Sequence, residues 1–379
     1  MAEPIVVVIF LRGGVDGLSL VAPAGDADYI AARPGEIRVD RKGHDAGRVL
    51  GNAAADADFR FHPQARELSE LYGAGDLAVV HAAGLTDATR SHFDAEARME
   101  RGAPGAGDGG WLGRWLRAVQ PDGVLPALAI GAAAPDSLRG AAEVAVAEDL
   151  SGLRLAGGHG YSTAIRATMA RRLGDNAVIG APLRRLLTLS GVLEDLIALD
   201  KDGNLKPYEP SVDYPDSPLS QSLLTLAQTI KLGLGLRVAT VDYGGWDTHV
   251  GQAGTFSGLV AGLSGPLLAF WRDLGKHQER VSVVVMSEFG RRLKANDSGG
   301  TDHGHGNAIM VLGARIKGGR MLGRWPGLAN DALDSGADLA ITTDYRQVLS
   351  ELMSGAMGFA DNAALFPGFA PGSSLDLLR

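Results

Sequence analysis

The chain has 379 residues, 45% of them hydrophobic and 21% charged, which is ordinary for a globular protein and enough to bury the core of a large α/β domain. A net charge of −8 argues against nucleic acid or anionic membrane as a general partner, but leaves an anionic substrate open, because a bound cation reverses a local field. With no cysteine there can be no disulfide, no zinc–thiolate site and no thiol nucleophile.

In chain order, Ile5–Leu11 is an apolar run closed by Arg12, far below the roughly 20 residues that span a bilayer, so no membrane span is expected there. No basic residue precedes it and no small-residue cleavage pattern follows, so it is not a signal peptide. The expected compartment is the cytoplasm for the chain as written, or the periplasm where an export signal has been trimmed. The run is a buried first strand, and the glycines of Arg12-Gly13-Gly14-Val15-Asp16-Gly17 turn the chain so that Asp16 is presented at its carboxyl end. Residues 23–61 are Ala-, Gly- and Asp-rich with weak periodicity and are expected to form surface loops.

Gln64–Tyr72 is helical and Leu77–His81 a second buried strand. Ser91 followed by Asp94 marks a helix start running into Ala95–Glu100. Gly105, Gly107 and Gly110 match G-x-G-x-x-G formally, but no strand feeds them, so 102–110 is a loop. Trp111–Val119, Ala164–Leu173, Leu183–Ala198 and Ser222–Leu234 are helical patterns. Leu125–Ile130 and Val238–Tyr243 are strands. Residues 200–218 form an aperiodic excursion, expected to be mobile or to lie over the active face. Thr255–Lys276 is a one-faced helix with Pro266 as its expected kink. Val281–Met286 is a β-branched strand buried on both faces, Ala308–Leu312 one further strand, and Tyr345–Met357 the closing helix. The alternation implies an α/β fold: a mostly parallel sheet covered by helices on both faces, with no boundary that cuts residues 1–379 into separate domains.

Three strands deliver acids just past their carboxyl ends: Asp16, Asp247 and Glu288. Open α/β sheets bind ligands there. Asp247 and His249 share a Gly-Gly-Trp-Asp-Thr-His loop, and His303 and His305 alternate with glycines in Thr-Asp-His-Gly-His-Gly. Carboxylate and imidazole suit a divalent metal, zinc first and manganese, magnesium or calcium after it, as one or two ions. The plainer reading makes Asp247 and Asp302 turn caps and packs His249 on Trp246. The Glu288 charge is met either by a cation or by Arg291 or Arg292, and those arginines could instead clamp a tetrahedral anion. Ser91 is the candidate nucleophile, because free N–H groups and the dipole at a helix start favour an anionic ester. Its alternative role is a cap, with Thr89 as substitute and Arg90 and His92 flanking it as substrate-binding or ligating groups.

Arg-Gly-Gly-Val-Asp-Gly-Leu, Ser-His-Phe-Asp-Ala with Met-Glu after it, Trp-Asp-Thr-His, Ser-Glu-Phe-Gly-Arg and Asp-His-Gly-His-Gly occur in that order. Together they resemble the domain of unknown function 1501 family, which carries a sulfatase-like label and resembles the alkaline phosphatase superfamily. That resemblance implies a parallel-sheet α/β fold and a two-metal centre hydrolysing phosphate or sulfate esters. By position, Asp16 matches the first-strand aspartate that bridges toward the nucleophile, and Ser91 the nucleophile. Asp247, His249 and either His303 or His305 match one metal site, and Glu288 the aspartate of an Asp-His pair whose histidine is here Phe289. The second site is therefore incomplete or borrows His92 or His303. The formylglycine signature of type I sulfatases is absent, as is the twin-arginine signal frequent in the family. The expectation is a metal-dependent hydrolase of anionic small-molecule or polymer esters, with Ser91, Arg90 and Arg291 as catalytic groups. The rival is a non-catalytic binding or assembly protein that keeps the metal for structure.

Overall fold

The computed structural model describes residues 3–43, 46–51, 57–105, 107, 109–155, 162–173, 175–176 and 178–379. Among the described residues twelve strands form: β1 (Ile5–Leu11), β2 (Val21–Pro23), β3 (Arg48–Val49), β4 (Phe59–Phe61), β5 (Leu77–Gly84), β6 (Ala127–Ile130), β7 (Ala145–Ala147), β8 (Val238–Tyr243), β9 (Val281–Met286), β10 (Asn307–Gly313), β11 (Met321–Leu322) and β12 (Thr343–Asp344). The main sheet has the order β11-β5-β10-β9-β1-β8-β6-β7, with β12 also on β5. Every pairing is parallel except those of β10 with β5 and β9. The expected mostly parallel α/β fold is therefore present.

β1 is central, with Val8 opposite both Thr240 of β8 and Val284 of β9. Its side chains alternate between two cores, as a period of two requires. Val7 and Ile9 join Leu223, Leu263, Leu267 and Phe270 from helices Pro218–Leu232 and Gln252–Leu274. Val6 and Val8 join Met99, Trp115 and Leu352 from helices His92–Arg101, Trp111–Val119 and Tyr345–Gly355. Each such side chain, buried completely, stabilises by roughly 1.5–3 kcal/mol. Segment Gln252–Arg280 has the length and apolarity to cross a membrane, yet it is half buried as a core helix, and the helix runs through Pro266 unbroken.

The sheet also explains where the site forms. β1, β8 and β9 all leave by one rim, and β5, antiparallel to β10, leaves there too. β10 alone runs backwards, so the chain feeding it through His303 and His305 arrives at that same rim.

Two expectations fail. Residues 23–61 are not surface loops alone, because β2, β4 and β3 pair into a small antiparallel sheet with Phe59 and Phe61 buried. Strands of two or three residues are too short to show a period. Residues 200–218 do not lie over the rim. Asp273, in the last turn of Gln252–Leu274, accepts hydrogen bonds from Tyr208 (2.7 Å), Tyr214 (3.2 Å) and the Ser211 backbone N–H (2.8 Å), which fastens the segment toward the opposite end of that helix.

Candidate metal centre

Three imidazoles converge on one carboxylate oxygen. The Nε2 atoms of His249, His303 and His92 lie 3.1, 3.3 and 3.5 Å from Asp247 Oδ1, and those of His249 and His303 are 2.8 Å apart. Each ring is held from behind through Nδ1. His92 donates to Glu288 Oε1 (2.7 Å), His249 to Asp302 Oδ1 (3.0 Å) and His303 to the Arg90 carbonyl (2.8 Å). Those three acceptors fix the tautomer: the neutral rings carry their proton on Nδ1 and turn three Nε2 lone pairs inward. Lone pairs facing one another at such distances repel unless a proton or a cation lies among them. His92 Nε2 is shielded from solvent and has no hydrogen-bond partner among the described residues.

This donor set fits a metal ion. Ligands roughly 2.0–2.1 Å from a tetrahedral zinc stand about 3.3 Å apart, close to the 2.8–3.5 Å of the pairs that join Asp247 Oδ1 to each Nε2 and His249 to His303. The donor atoms of His92, Asp247 and His303 all lie within 4.8 Å of one another. Carboxylate or carbonyl bonds behind ligating histidines are the usual second layer of such centres.

Local sequence explains the convergence. His303 arrives with β10, Asp247 and His249 follow β8, and His92 opens the helix His92–Arg101, directly after Ser91. Gly13 has φ +119°, and a Cβ there would lie 2.5 Å from the Asp247 nitrogen, so the turns after β1 and β8 touch only because this residue lacks one. A Cβ at Gly304 would lie 2.4 Å from the Arg291 carbonyl carbon, so His303 can pair with Arg291. Phe289 makes an apolar wall, its ring 4.8 Å from that of His92 and 5.0 Å from that of His303. The residue standing in place of an expected ligand packs against two others.

The electrostatics agree with the geometry. The bond to Glu288 raises His92 above the usual imidazole range despite its burial. Burial lowers His303 against the pull of the Arg90 carbonyl, and His92 and Arg291 lower it further. Burial pushes the Asp247 carboxyl up, but Arg291, with His249 and His92, holds it below the usual range.

Among the residues singled out from sequence, the rim gathers Asp247, His249 and His303 into the centre. Glu288 is fully buried behind His92 and accepts from it, from the Gly13 N–H (2.8 Å) and from Ser287 (2.8 Å), so it orients a ligand instead of facing the pit. Asp16 is elsewhere. Arg33 binds both its oxygens, and Gln252 (2.6 Å) and Ser19 (2.8 Å) complete the set, leaving no oxygen for a metal. His305 turns away to Asp334 (2.6 Å) and the Leu85 carbonyl (2.9 Å). Arg291 is buried and cannot clamp a substrate, because it donates to the carbonyls of Gly14 (2.6 Å), Thr301 (2.8 Å) and Trp246 (3.1 Å) and to Asp247 (2.6 Å). Arg90 pairs through its side chain with buried Asp338. Ser91 is exposed at its helix start, and its hydroxyl makes no capping bond.

Two residues of the site carry no sequence mark of their role: Asp302, which orients His249, and Glu96. Glu96 lies one helical turn from His92 on the same face. Burial pushes its carboxyl up to about 7; Arg12, 3.3 Å away, opposes this, while Glu288, Glu100 and Asp242 add to it. Phe93 and Val250, each next to a ring of the centre, are 87% and 72% exposed.

A mostly parallel α/β sheet with a histidine-lined pit at the carboxyl ends of its strands defines the class. The model of the family described as "Protein of unknown function (DUF1501)" matches residues 197–364. That stretch holds Trp-Asp-Thr-His, Ser-Glu-Phe-Gly-Arg and Asp-His-Gly-His-Gly, so the family resemblance drawn from the motifs stands. No curated protein matches the chain. Among solved structures it is similar to the C-terminal periplasmic domain of EcEptC from Escherichia coli in complex with Zn, at 7% identity over 83% of this chain and 74% of that one, TM-score 0.37. It is similar to the PsFucS1 sulfatase from Pseudoalteromonas sp. at 13% identity over 84% and 64%, TM-score 0.34. An alkaline phosphatase from the Antarctic bacterium TAB5 matches at 10% identity over 82% and 92%, TM-score 0.29. Values this low leave function to be read from the residues.

Proposed function

We propose that this protein is a metal-dependent hydrolase of phosphate or related sulfate or phosphonate esters, with Ser91 as nucleophile. The observation that carries the reading is the convergence of three inward Nε2 atoms on Asp247 Oδ1, with each Nδ1 already engaged. His92, His249, His303 and Asp247 would hold the ion. Three nitrogens and one oxygen suit zinc better than manganese, magnesium or calcium, which favour oxygen-rich sets. Such a cation supplies Lewis acidity, lowering a hydroxyl pKa and neutralising charge on the transferring group.

The chain's own residues supply the rest. Ser91 stands between His92, a ligand, and Arg90, whose carbonyl orients another, and its hydroxyl is not committed to capping. The free N–H groups of the first helical turn favour the incoming anion. Ser91 Oγ forms the bond to phosphorus or sulfur as its proton passes to solvent and the ester oxygen leaves in line, and a water molecule then displaces Ser91 to release the inorganic anion. Glu96, able to hold or release a proton near neutrality, is the nearby acid for that leaving oxygen. Phe93 and Val250, exposed and adjacent in sequence to His92 and His249, are the apolar groups nearest in the chain to an aryl or alkyl leaving group.

The test is metal analysis before and after chelation, with a panel of aryl phosphates and aryl sulfates. Bound zinc, turnover that chelation removes and zinc restores, and a Ser91→Ala variant that keeps metal but loses turnover are expected. A protein that takes up no divalent metal sinks the reading. Metal without turnover of any ester transfers support to the non-catalytic rival.

A further inference from the structure

A second feature adjoins the centre. A cleft of about 450 Å³ opens between helix Ala27–Ala32, segment 292–294 and loop 328–337. Leu328 and Leu333 give it an apolar wall, Arg292 and Lys294 give it two cations, and Asn330 and a single acid, Asp28, complete its polar edge. Its size is that of a site for a small organic ligand, mostly apolar with a few converging polar groups.

Ion pairing beside this cleft is loose. Arg292 Nε is shielded from water without a hydrogen-bond partner, and so is Asp338 Oδ1, 3.8 Å from it. The other oxygen of Asp338 is taken by Arg90. One buried carboxylate thus faces two guanidinium groups, hydrogen-bonding Arg90 and pairing with Arg292 only at ion-pair distance. Among the described residues, neither Arg292 through its side chain nor Lys294 makes a hydrogen bond. A guanidinium kept at a half-buried position with donors unused matches a ligand that accepts two parallel bonds, as a tetrahedral oxyanion does. The cleft is joined to the centre, because the Arg292 backbone N–H donates to the Asp302 carbonyl (2.9 Å), and the Asp302 carboxylate orients His249.

We propose that this cleft is a subsite for a second tetrahedral oxyanion, a phosphate or sulfate on an organic substrate with an apolar body, held by Arg292 and Lys294 while the centre takes the ester to be cleaved. The substrate class is then a multiply anionic ester, not a simple monoester. As a statement about substrate, this rests on the hydrolase reading; as a statement about an anion site, it does not.

The experiment is equilibrium binding of inorganic phosphate, and separately of inorganic sulfate, to the full chain stripped of metal by chelation. Saturable binding is expected, weakened about tenfold or more by Arg292→Ala and by Lys294→Ala, and tightened by Asp28→Asn. Thermal melting of each variant checks that it is folded, and Lys294→Ala, at an exposed position, carries the test should Arg292→Ala fail to fold. No binding to the metal-free chain overturns the subsite, as does binding unaffected by these substitutions. Anion binding that appears only with zinc present assigns the anion to the centre and overturns the subsite while leaving the hydrolase reading intact. Binding lost in Arg292→Ala in a protein that cleaves no ester leaves the subsite standing and removes the hydrolase.

Discussion

Asp16 and Asp247 hold matching places in the sequence, each a few residues past the end of neighbouring parallel strands β1 and β8, each after a pair of glycines. Their fates diverge. Asp16 is fully buried, with Arg33, Gln252 and Ser19 taking up its lone pairs. Asp247 has a side chain 48% exposed, shares Arg291 with several backbone carbonyls, and faces three imidazoles. A carboxylate at a strand end is therefore structural when a guanidinium saturates it. It is available for chemistry when its remaining neighbours are rings that present lone pairs.

The sharpest way to break this contrast is to remove the first acid. Asp16→Ala leaves Arg33 buried without its partner and is expected to cost about 3–5 kcal/mol in denaturant unfolding, with the zinc stoichiometry of the folded fraction unchanged. A loss under about 1 kcal/mol, or loss of metal without loss of stability, contradicts the division of roles. The acid limb follows the same logic. Burial pushes the Asp16 carboxyl up, Arg33 and its other donors bring it below the ordinary 3.8, and the net shift is downward. Its stabilisation is thus present above the ordinary value and is lost as pH falls through the lower folded one.

Next in size is metal addition. Zinc at a thousand times its dissociation constant should stabilise the chelated protein by about 4 kcal/mol. That gain should vanish in Asp247→Ala and persist in Asp16→Asn, as read by melting with and without zinc. Glu288→Gln should keep the fold but weaken zinc binding about 10–100-fold, because the His92 ring loses the carboxylate that orients it; calorimetric titration decides. Unchanged affinity would make Glu288 a structural acid only.

The smallest effect belongs to Glu96. Its pKa is raised from the ordinary 4.5 to about 7, so the folded state favours the protonated acid. Stability is then full below about 4.5 and drains as pH rises through about 7. Glu96→Gln should flatten that slope, an effect of about 1–2 kcal/mol after allowance for its partial exposure. A stability–pH curve identical to wild type across this window removes Glu96 from the proton account.

Much of this was legible because it depends on local pattern. β1 and β9 are largely β-branched runs buried throughout, β8 is buried except at Asp242, and such apolar runs announce themselves. The acids and histidines after them could be named because chain order and strand direction put them at one rim. Partners distant in sequence carry no such mark. Nothing periodic ties Asp16 to Arg33, His305 to Asp334, or Arg291 to the carbonyls of two other turns. His92 was visible as a flank of Ser91 and as a ligand the second site could borrow, but its orientation depends on Glu288, 196 positions away. The reversed direction of β10 was equally hidden, and it alone brings His303 to the pit.

The most direct test of the central claim is X-ray absorption at the zinc edge on protein first chelated and then loaded with zinc. The convergence of His92, His249, His303 and Asp247 predicts scattering from three imidazole nitrogens and one oxygen at roughly 2.0–2.1 Å, with one imidazole lost in each single His→Ala variant. Zinc that does not bind, or that binds with a ligand shell indifferent to all three substitutions, would contradict it.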